Sequence, residues 1–399
     1  MSRLLAVVAC IGALCSCETR PAPVENRDTS RAPVTPQRAK KAPEVIKATR
    51  ADPPPKKAPA PRVTTETLTG VATPAPWLKD ASRVAGINTK AGPRIVAAGT
   101  GWLRLFDGSG KLIAEAKGIG GANVLEVFDA TGDGVDDIII GRGMARGALD
   151  IQPSLTIYQA DLSDATAQTI SLPTTQRAQV IAVEPASDKA GDLWVATFDS
   201  KYMVSMQRAL FKDGKWNTTE ITKVRVAGDI ASVTLGGKRV LVVARMYGDT
   251  ADADGDVYIV GGTQQKLPST RGARALVSVE NGVVMADGWH KQYGTKAEAL
   301  LTLVRKEGGR WVSTRLAKVP GRHGYNRLRI GDIDGDKQQD VIAAGNGPAV
   351  AVTISANAEA PVRYLSLGEA ADAYPFDVDG DGSLEVIIAG SKPAIWHRR

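Results

Sequence analysis

One short phrase recurs along this 399-residue chain, and its spacing limits the possible folds more than any other feature. An apolar run ends in small residues or Gly: RIVAAG (94–99), DIIIGRG (137–143), DLWVATF (192–198), RVLVVAR (239–245), GVVMADG (282–288), DVIAAGN (340–346) and EVIIAGS (385–391). Successive starts lie 43 to 58 residues apart. Short runs bounded by Gly, Asn and Asp read as strands. Another apolar stretch precedes each (RVAGI, VLEVF, VIAV, IASVTL, ALVSV, RLRI, AYPF), and a third follows most of them (WLRLF, LTIYQ, MVSMQ, VYIV, ALLTLV, VAVTI, AIWH). A fourth is visible in several units, as in KLIAEA, WNTTEI, RWVSTRL and VRYLSL. Seven such units predict an all-β fold over residues 63–399, a seven-bladed β-propeller of four-stranded blades. The last unit stops at Arg399 after its third strand. An N-terminal segment around TTETLTG (64–70) is therefore expected to supply its fourth strand and close the ring, leaving no long sheet edge exposed.

Three units carry an acidic loop between their first and second strands. Their candidate ligands are Asp129, Thr131, Asp133 and Asp137; Asp332, Asp334, Asp336 and Asp340; and Asp377, Asp379, Asp381 and Glu385. Calcium takes six to eight hard oxygens, and positions 1, 3 and 5 of a tight loop can point inward. The carbonyl at position 7 and a carboxylate at position 9 can complete the shell, while Gly at position 6 permits the sharp turn. Magnesium fits poorly, because it keeps its water and demands strict octahedral geometry. The competing reading is three Asx-turns with solvated carboxylates. In either case the expected role is structural.

The phrases FDATGDGVDDIIIGRG, IGDIDGDKQQDVIAAGN and FDVDGDGSLEVIIAG resemble FG-GAP/VCBS repeats, as in integrin α-chain propellers and bacterial surface proteins. The resemblance spans residues 77–399, clearly in three units and faintly in the others. It implies structural calcium at up to three sites on the lower face. Two departures weaken the pattern: Thr131 is a poorer ligand than Asp, and Lys337 replaces the turn Gly. The third loop is expected to bind best. ADADGDVYIV (251–260) has Val260 at the ninth position and reads as a tight turn.

All three cysteines (Cys10, Cys15, Cys17) fall within the first 17 residues, so the strand-rich part has no disulfide. Residues 1–17 run from a positive start through an apolar core too short to span a bilayer, and read as an export signal. Leu14-Cys15-Ser16-Cys17 resembles the bacterial lipobox. That resemblance implies cleavage before Cys17, lipidation of Cys17 and anchoring in the cell envelope; an ordinary signal peptide is the alternative. Glu18 favours the outer membrane, with the side facing left open. Residues 18–62, rich in Pro, Ala and Lys, cannot bury enough apolar surface to fold and read as a disordered tether. They hold 11 Lys/Arg against 5 acids, which accounts for most of the net charge of +7. A basic pI confined to a tail argues against nucleic-acid binding by the folded part.

The face opposite the acidic loops is expected to bind a ligand. Its candidate residues are Arg142, Tyr202, Arg245, Trp289, His290, Tyr293, His323 and Tyr325. Aromatic, Arg and His side chains on one face suit a glycan or a protein partner, although they can also simply pack long loops. No GxSxG, HExxH or mature free Cys points to a nucleophile. The chain therefore reads as a monomeric, membrane-anchored binding or assembly scaffold for an envelope protein or glycan. The enzymatic alternative is a uronate lyase using Asp287, which rests on analogy between folds. A quinone redox propeller is a distant third, because the tryptophan-docking repeats of that class are missing.

Overall fold

The computed structural model describes residues 70–143, 153–172, 178–199, 203–225, 227–246, 255–260, 265–268, 272–286, 299–319, 324–355 and 359–398. Among them the chain is all-β, with antiparallel sheets and a single 3-10 turn at Pro76–Leu78. No helix of the described residues is long and apolar enough to cross a membrane.

Strand β1 (Gly70–Pro74) pairs far along the chain and is taken last. The first unit contains β2 (Ala81–Thr89), β3 (Gly92–Phe106) and the opening of β4 (Leu112–Phe128). Residues 112–117 of β4 pair with β3, Gly121 pairs with both β3 and β5 (Asp137–Gly143), and residues 122–128 pair with β5 alone. Between them Gly118 and Gly120 have φ of 72° and 76°, a left-handed backbone that lets one strand pass from one unit to the next. The second unit continues through β6 (Ser154–Tyr158) and β7 (Gln168–Ser171).

Three four-stranded sheets follow. The first holds β8 (Ala178–Pro185), β9 (Asp192–Asp199), β10 (Met203–Lys212) and β11 (Lys215–Arg225). The next holds β12 (Ala227–Leu235), β13 (Lys238–Arg245), β14 (Val257–Val260) and β15 (Gln265–Lys266). The third holds β16 (Ala275–Val279), β17 (Gly282–Ala286), β18 (Ala299–Glu307) and β19 (Arg310–Val319). Then come β20 (Tyr325–Gly331), β21 (Asp340–Gly345), β22 (Gly347–Thr353) and β23 (Arg363–Phe376). Like β4, β23 serves two units, pairing first with β22 and then with β24 (Glu385–Gly390). Strand β25 (Ala394–Arg398) pairs with β24 on one side and with β1 on the other.

The β1 pairing runs from Gly70↔Arg398 to Pro74↔Ala394. It thus begins where the expected strand (64–70) ends; residues 64–69 lie outside the described set. Packing explains Gly70, since a Cβ there would sit 2.2 Å from the Trp396 ring.

Each apolar core lies between two consecutive units, where the alternating inward side chains of neighbouring sheets meet. Ile87, Val96, Leu125 and Ile140 join the first unit to the second. Val84, Ile95, Phe376 and Ile387 join the first to the last. The first strands touch in the order β2, β4, β8, β12, β16, β20 and β23, and β23 touches β2. Six of these seven carry an early register shift, for example between Ala81 and Arg83, Ala227 and Asp229, Tyr325 and Arg327, and Ala370 and Asp372. A bulge of this kind bends the strand and re-aims the side chain that follows it.

Gly86 makes one seam testable. A Cβ there would stand 2.0 Å from the Phe376 ring. Gly86→Ala is expected to lower stability in urea unfolding by about 1–3 kcal/mol, the usual cost of overpacking. An unchanged midpoint would mean that β2 and β23 are not tightly packed there.

Candidate metal centre

The three acidic loops are built to one pattern. Each leaves a first strand and returns as a second, so that the ninth residue pairs with the residue just before the loop: Phe128↔Asp137, Gly331↔Asp340 and Phe376↔Glu385. The first carboxylate accepts from the amides at positions 4 and 6. Asp129 takes Gly132 N at 2.6 Å and Gly134 N at 3.0 Å; Asp332 takes Gly335 N at 2.7 Å and Lys337 N at 2.9 Å; Asp377 takes Gly380 N at 2.7 Å and Gly382 N at 2.9 Å. The fifth accepts from position 7: Asp133 from Val135 N, Asp336 from Gln338 N and Asp381 from Ser383 N. The ninth closes the loop onto position 2, through Asp137 to Ala130 N, Asp340 to Ile333 N and Glu385 to Val378 N. The loops satisfy their own backbone amides, which is why nine residues can specify the shape.

Position 6 is left-handed in all three, with φ of 80° at Gly134, 89° at Gly382 and 68° at Lys337. Lys337 therefore keeps the turn despite its Cβ, at a cost of about 1–2 kcal/mol for a non-Gly residue in this region.

The loops differ in what their carboxylates face. Oxygens of Asp377, Asp379 and Glu385 lie within 4.8 Å of one another, as do those of Asp332, Asp334 and Asp336. Burial pushes Asp137, Asp340 and Glu385 above the usual carboxylate range. Clustered acids of this kind gain from a counter-cation, and the third loop is open to a metal ion. In the first loop, Thr131 Oγ1 is buried beside the Asp137 carboxylate. The second loop already holds a cation. The Arg363 guanidinium donates through Nη1 to Asp334 and through Nη2 to Asp340, and Nη2 also reaches Thr353 Oγ1 at 2.9 Å. Burial would raise the Asp334 pKa, but the bond from Arg363, with smaller contributions, leaves it below its ordinary value. Nothing in the local sequence marks Arg363, which sits on the fourth strand of the same unit.

Three residues of the expected ligand face are described. Arg142, half-buried, has its guanidinium beside the Tyr158 hydroxyl. Arg245 donates to Arg225 O at 3.3 Å and lies 3.7 Å from Asp256. Tyr325 corrects the expectation. It is the first residue of β20, 0% exposed, and belongs to a core cluster with Val284, Leu301 and Val341. Its aromatic ring completes apolar packing between two sheets, and its hydroxyl lies 3.3 Å from Pro348 O. Tyr202, Trp289, His290, Tyr293 and His323 lie outside the described residues, as do Cys17, the leader and tether, Asp287 and residues 251–254.

A second cluster, unforeseen from sequence, occupies the first strands at the ends away from the acidic loops. Arg83 Nε and Arg327 Nη2 both donate to Asn123 O, the former at 2.9 Å. Asp229 accepts from Ile230 N and from Leu276 N of the next unit, each at 2.9 Å. Asp372 does the same with Ala373 N at 3.0 Å and Val84 N at 3.2 Å. Asn123 reaches Gln179 at 3.0 Å, and Glu184 accepts from Ser232 N at 3.4 Å. Further along, Arg329 pairs with Glu126 at 3.0 Å. Burial, helped by the nearby charges of Glu126 and Asp229, pushes Glu184 up to about 8, although part of the side chain still meets solvent. Burial pushes Asp229 up to about 7. The signal was present as charges inside otherwise apolar runs, RVAGI, VLEVF and RLRI. It carried no meaning until the sheets placed those runs side by side.

No family model matches the chain, and no curated protein is similar to it in sequence. Among solved structures it is similar to a chain in a crystal structure of the mitotic checkpoint complex, with TM-score 0.52 and 12% identity over 89% of this chain and 98% of that one. The likeness is one of fold: both are propeller-like assemblies of antiparallel sheets.

Proposed function

We propose that this protein is a calcium-stabilised, seven-bladed propeller that serves as a binding or assembly scaffold. In this reading it is tethered to the envelope, on the outer membrane, by a lipid on Cys17. Support for seven blades comes from the order in which the first strands touch and from the pairing of β1 with β25, which would make β1 the fourth strand of the last blade. The observation that carries the reading is the shared geometry of the acidic loops. Their carboxylates accept from loop amides, and two of the three loops gather theirs closely enough for one cation, which is a structural use of acids. Calcium fits better than magnesium there, because the donors are carboxylate and carbonyl oxygens on a loop able to supply more than six. Loops fastened at one end of a rigid scaffold leave the loops at the other end to carry recognition. The partner is an envelope protein or glycan.

Calcium binding to the metal-stripped full-length chain tests the structural half. Calorimetry is expected to show saturable binding and a raised unfolding temperature, with Asp379→Asn removing the third-loop site. Heat unchanged by Asp379→Asn, or a Tm indifferent to calcium, would remove the metal from the account. For the scaffold half, immobilised full-length chain is expected to retain one envelope protein or glycan stoichiometrically. A Trp289→Ala/His290→Ala/Tyr293→Ala variant should lose it, and equal retention by both would dismiss the proposed face.

A further inference from the structure

We propose that Arg83, Arg274 and Arg327 form a binding site for a small oxyanion, a carboxylate or a tetrahedral sulfate- or phosphate-like group. The site lies among the first strands, at the ends remote from the acidic loops. It uses none of the loop residues assigned to partner recognition, so the two ideas stand or fall separately.

The argument begins with how these cations are satisfied. Buried arginines are almost always paired, because an uncompensated charge away from water is costly. Arg329, deeper along β20, follows that rule through Glu126. The other three do not. Arg83 donates to two carbonyls, Asn123 O at 2.9 Å and Ser82 O at 2.5 Å. Arg327 donates to Asn326 O at 3.2 Å and to Asn123 O. The Arg274 guanidinium, just before β16, has no acceptor among the described residues. All three side chains are only partly exposed.

The acids nearby do not complete the set. Both oxygens of Asp229 and both of Asp372 accept from backbone amides, Glu126 is taken by Arg329, and Glu184 accepts from Ser232 N. The arginines also crowd one another. Burial, followed by the charge of Arg327, pulls Arg83 down to about 9, and burial with the same charge lowers Arg274. Burial pushes both Glu184 and Asp229 above the usual carboxylate range. Guanidinium groups that donate only to main-chain carbonyls, or to no described residue, keep spare N–H donors that fit one external oxyanion, bound by charge-assisted hydrogen bonds. Side chains that are only partly exposed suit a small ligand, or the charged end of a larger one.

The test uses the full-length chain with its anchor in detergent. Sodium sulfate and sodium glucuronate are titrated calorimetrically, with sodium chloride at equal ionic strength as the blank. Wild type is expected to bind at least one of the two saturably, near one equivalent per chain; which one binds tells a tetrahedral oxyanion from a carboxylate. Arg274→Gln is expected to weaken that binding by at least about tenfold, the factor for one lost hydrogen bond to a charged group. The unliganded variant should unfold at the same temperature as wild type or higher, because an unpaired buried charge has been removed. No saturable heat with either anion, or equal affinity in Arg274→Gln, would overturn the site. So would a lower unliganded Tm, since it would mean that Arg274 is already paired within the fold.

Discussion

Arg363→Gln is expected to turn the second acidic loop into a site that depends on added calcium. Arg363 is 8% exposed and Asp340 is 0% exposed, and the two meet together with Asp334 and Thr353. Removing one partner of a buried ion pair leaves the other charge without compensation, at a cost of about 3–5 kcal/mol. The stability of the variant should therefore fall by that order in urea unfolding with chelator present. Calcium should restore much of it, because Asp334 and Asp340 are then free to join Asp332 and Asp336 around an ion. Wild type, whose second loop carries its own cation, should respond to calcium through the other loops alone. The variant should accordingly bind one calcium more than wild type. Equal stoichiometry, with no rescue by calcium, would show that Arg363 is a packing residue and that the loop never was a metal site.

Stability should also rise as pH falls from about 8 to 6, the reverse of what surface carboxylates alone produce. Glu184 moves from an ordinary 4.5 to about 8, and Asp229 from 3.8 to about 7, both chiefly through burial. A folded-state pKa above the unfolded one means that the folded chain holds the proton more tightly. Each contribution is fully present below the unfolded pKa and is lost as pH rises through the folded one, over 4.5 to 8 for Glu184 and 3.8 to 7 for Asp229. At ~1.4 kcal/mol per pKa unit, the two together account for roughly 2–4 kcal/mol lost between pH 6 and 8. Arg83, held down at about 9, contributes its own change only above that window. Denaturant unfolding at a series of pH values measures the slope. Glu184→Gln, which keeps an oxygen for Ser232 N, should flatten it by about half or more; a slope identical to wild type would assign the effect elsewhere.

How much of this was legible depended on distance along the chain. The apolar part of each of the seven runs falls on a strand among the described residues, from β3 to β24, because alternation and turn residues act within a few positions. The acidic loops were readable for the same reason: nine residues contain both the carboxylates and the amides they hold. Tyr325 was expected on the ligand face because sequence shows that an aromatic follows Gly324 but not that β20 has already begun there and buries it. The strand partnering β25 was placed a few residues early, since nothing local distinguishes 64–70 from Gly70–Pro74 as a partner. The fit of the Trp396 ring over Gly70 and the Ala75 N–H donated to Pro393 O at 3.0 Å both belong to the folded pairing.

The sequence by itself determined the β class, the repeat and the shape of each acidic loop, since hydrophobic alternation and Asx-turns are settled by neighbours a few residues apart. Tertiary structure alone decided that the second loop faces Arg363 and what the inner strands hold. Arg363 meets Asp340 from 23 residues away, and Arg327 meets Asn123 from 204. Such pairings become visible only once sheets are stacked, because the desolvation that makes a charge matter is a property of the packed interior and not of the residue that carries it.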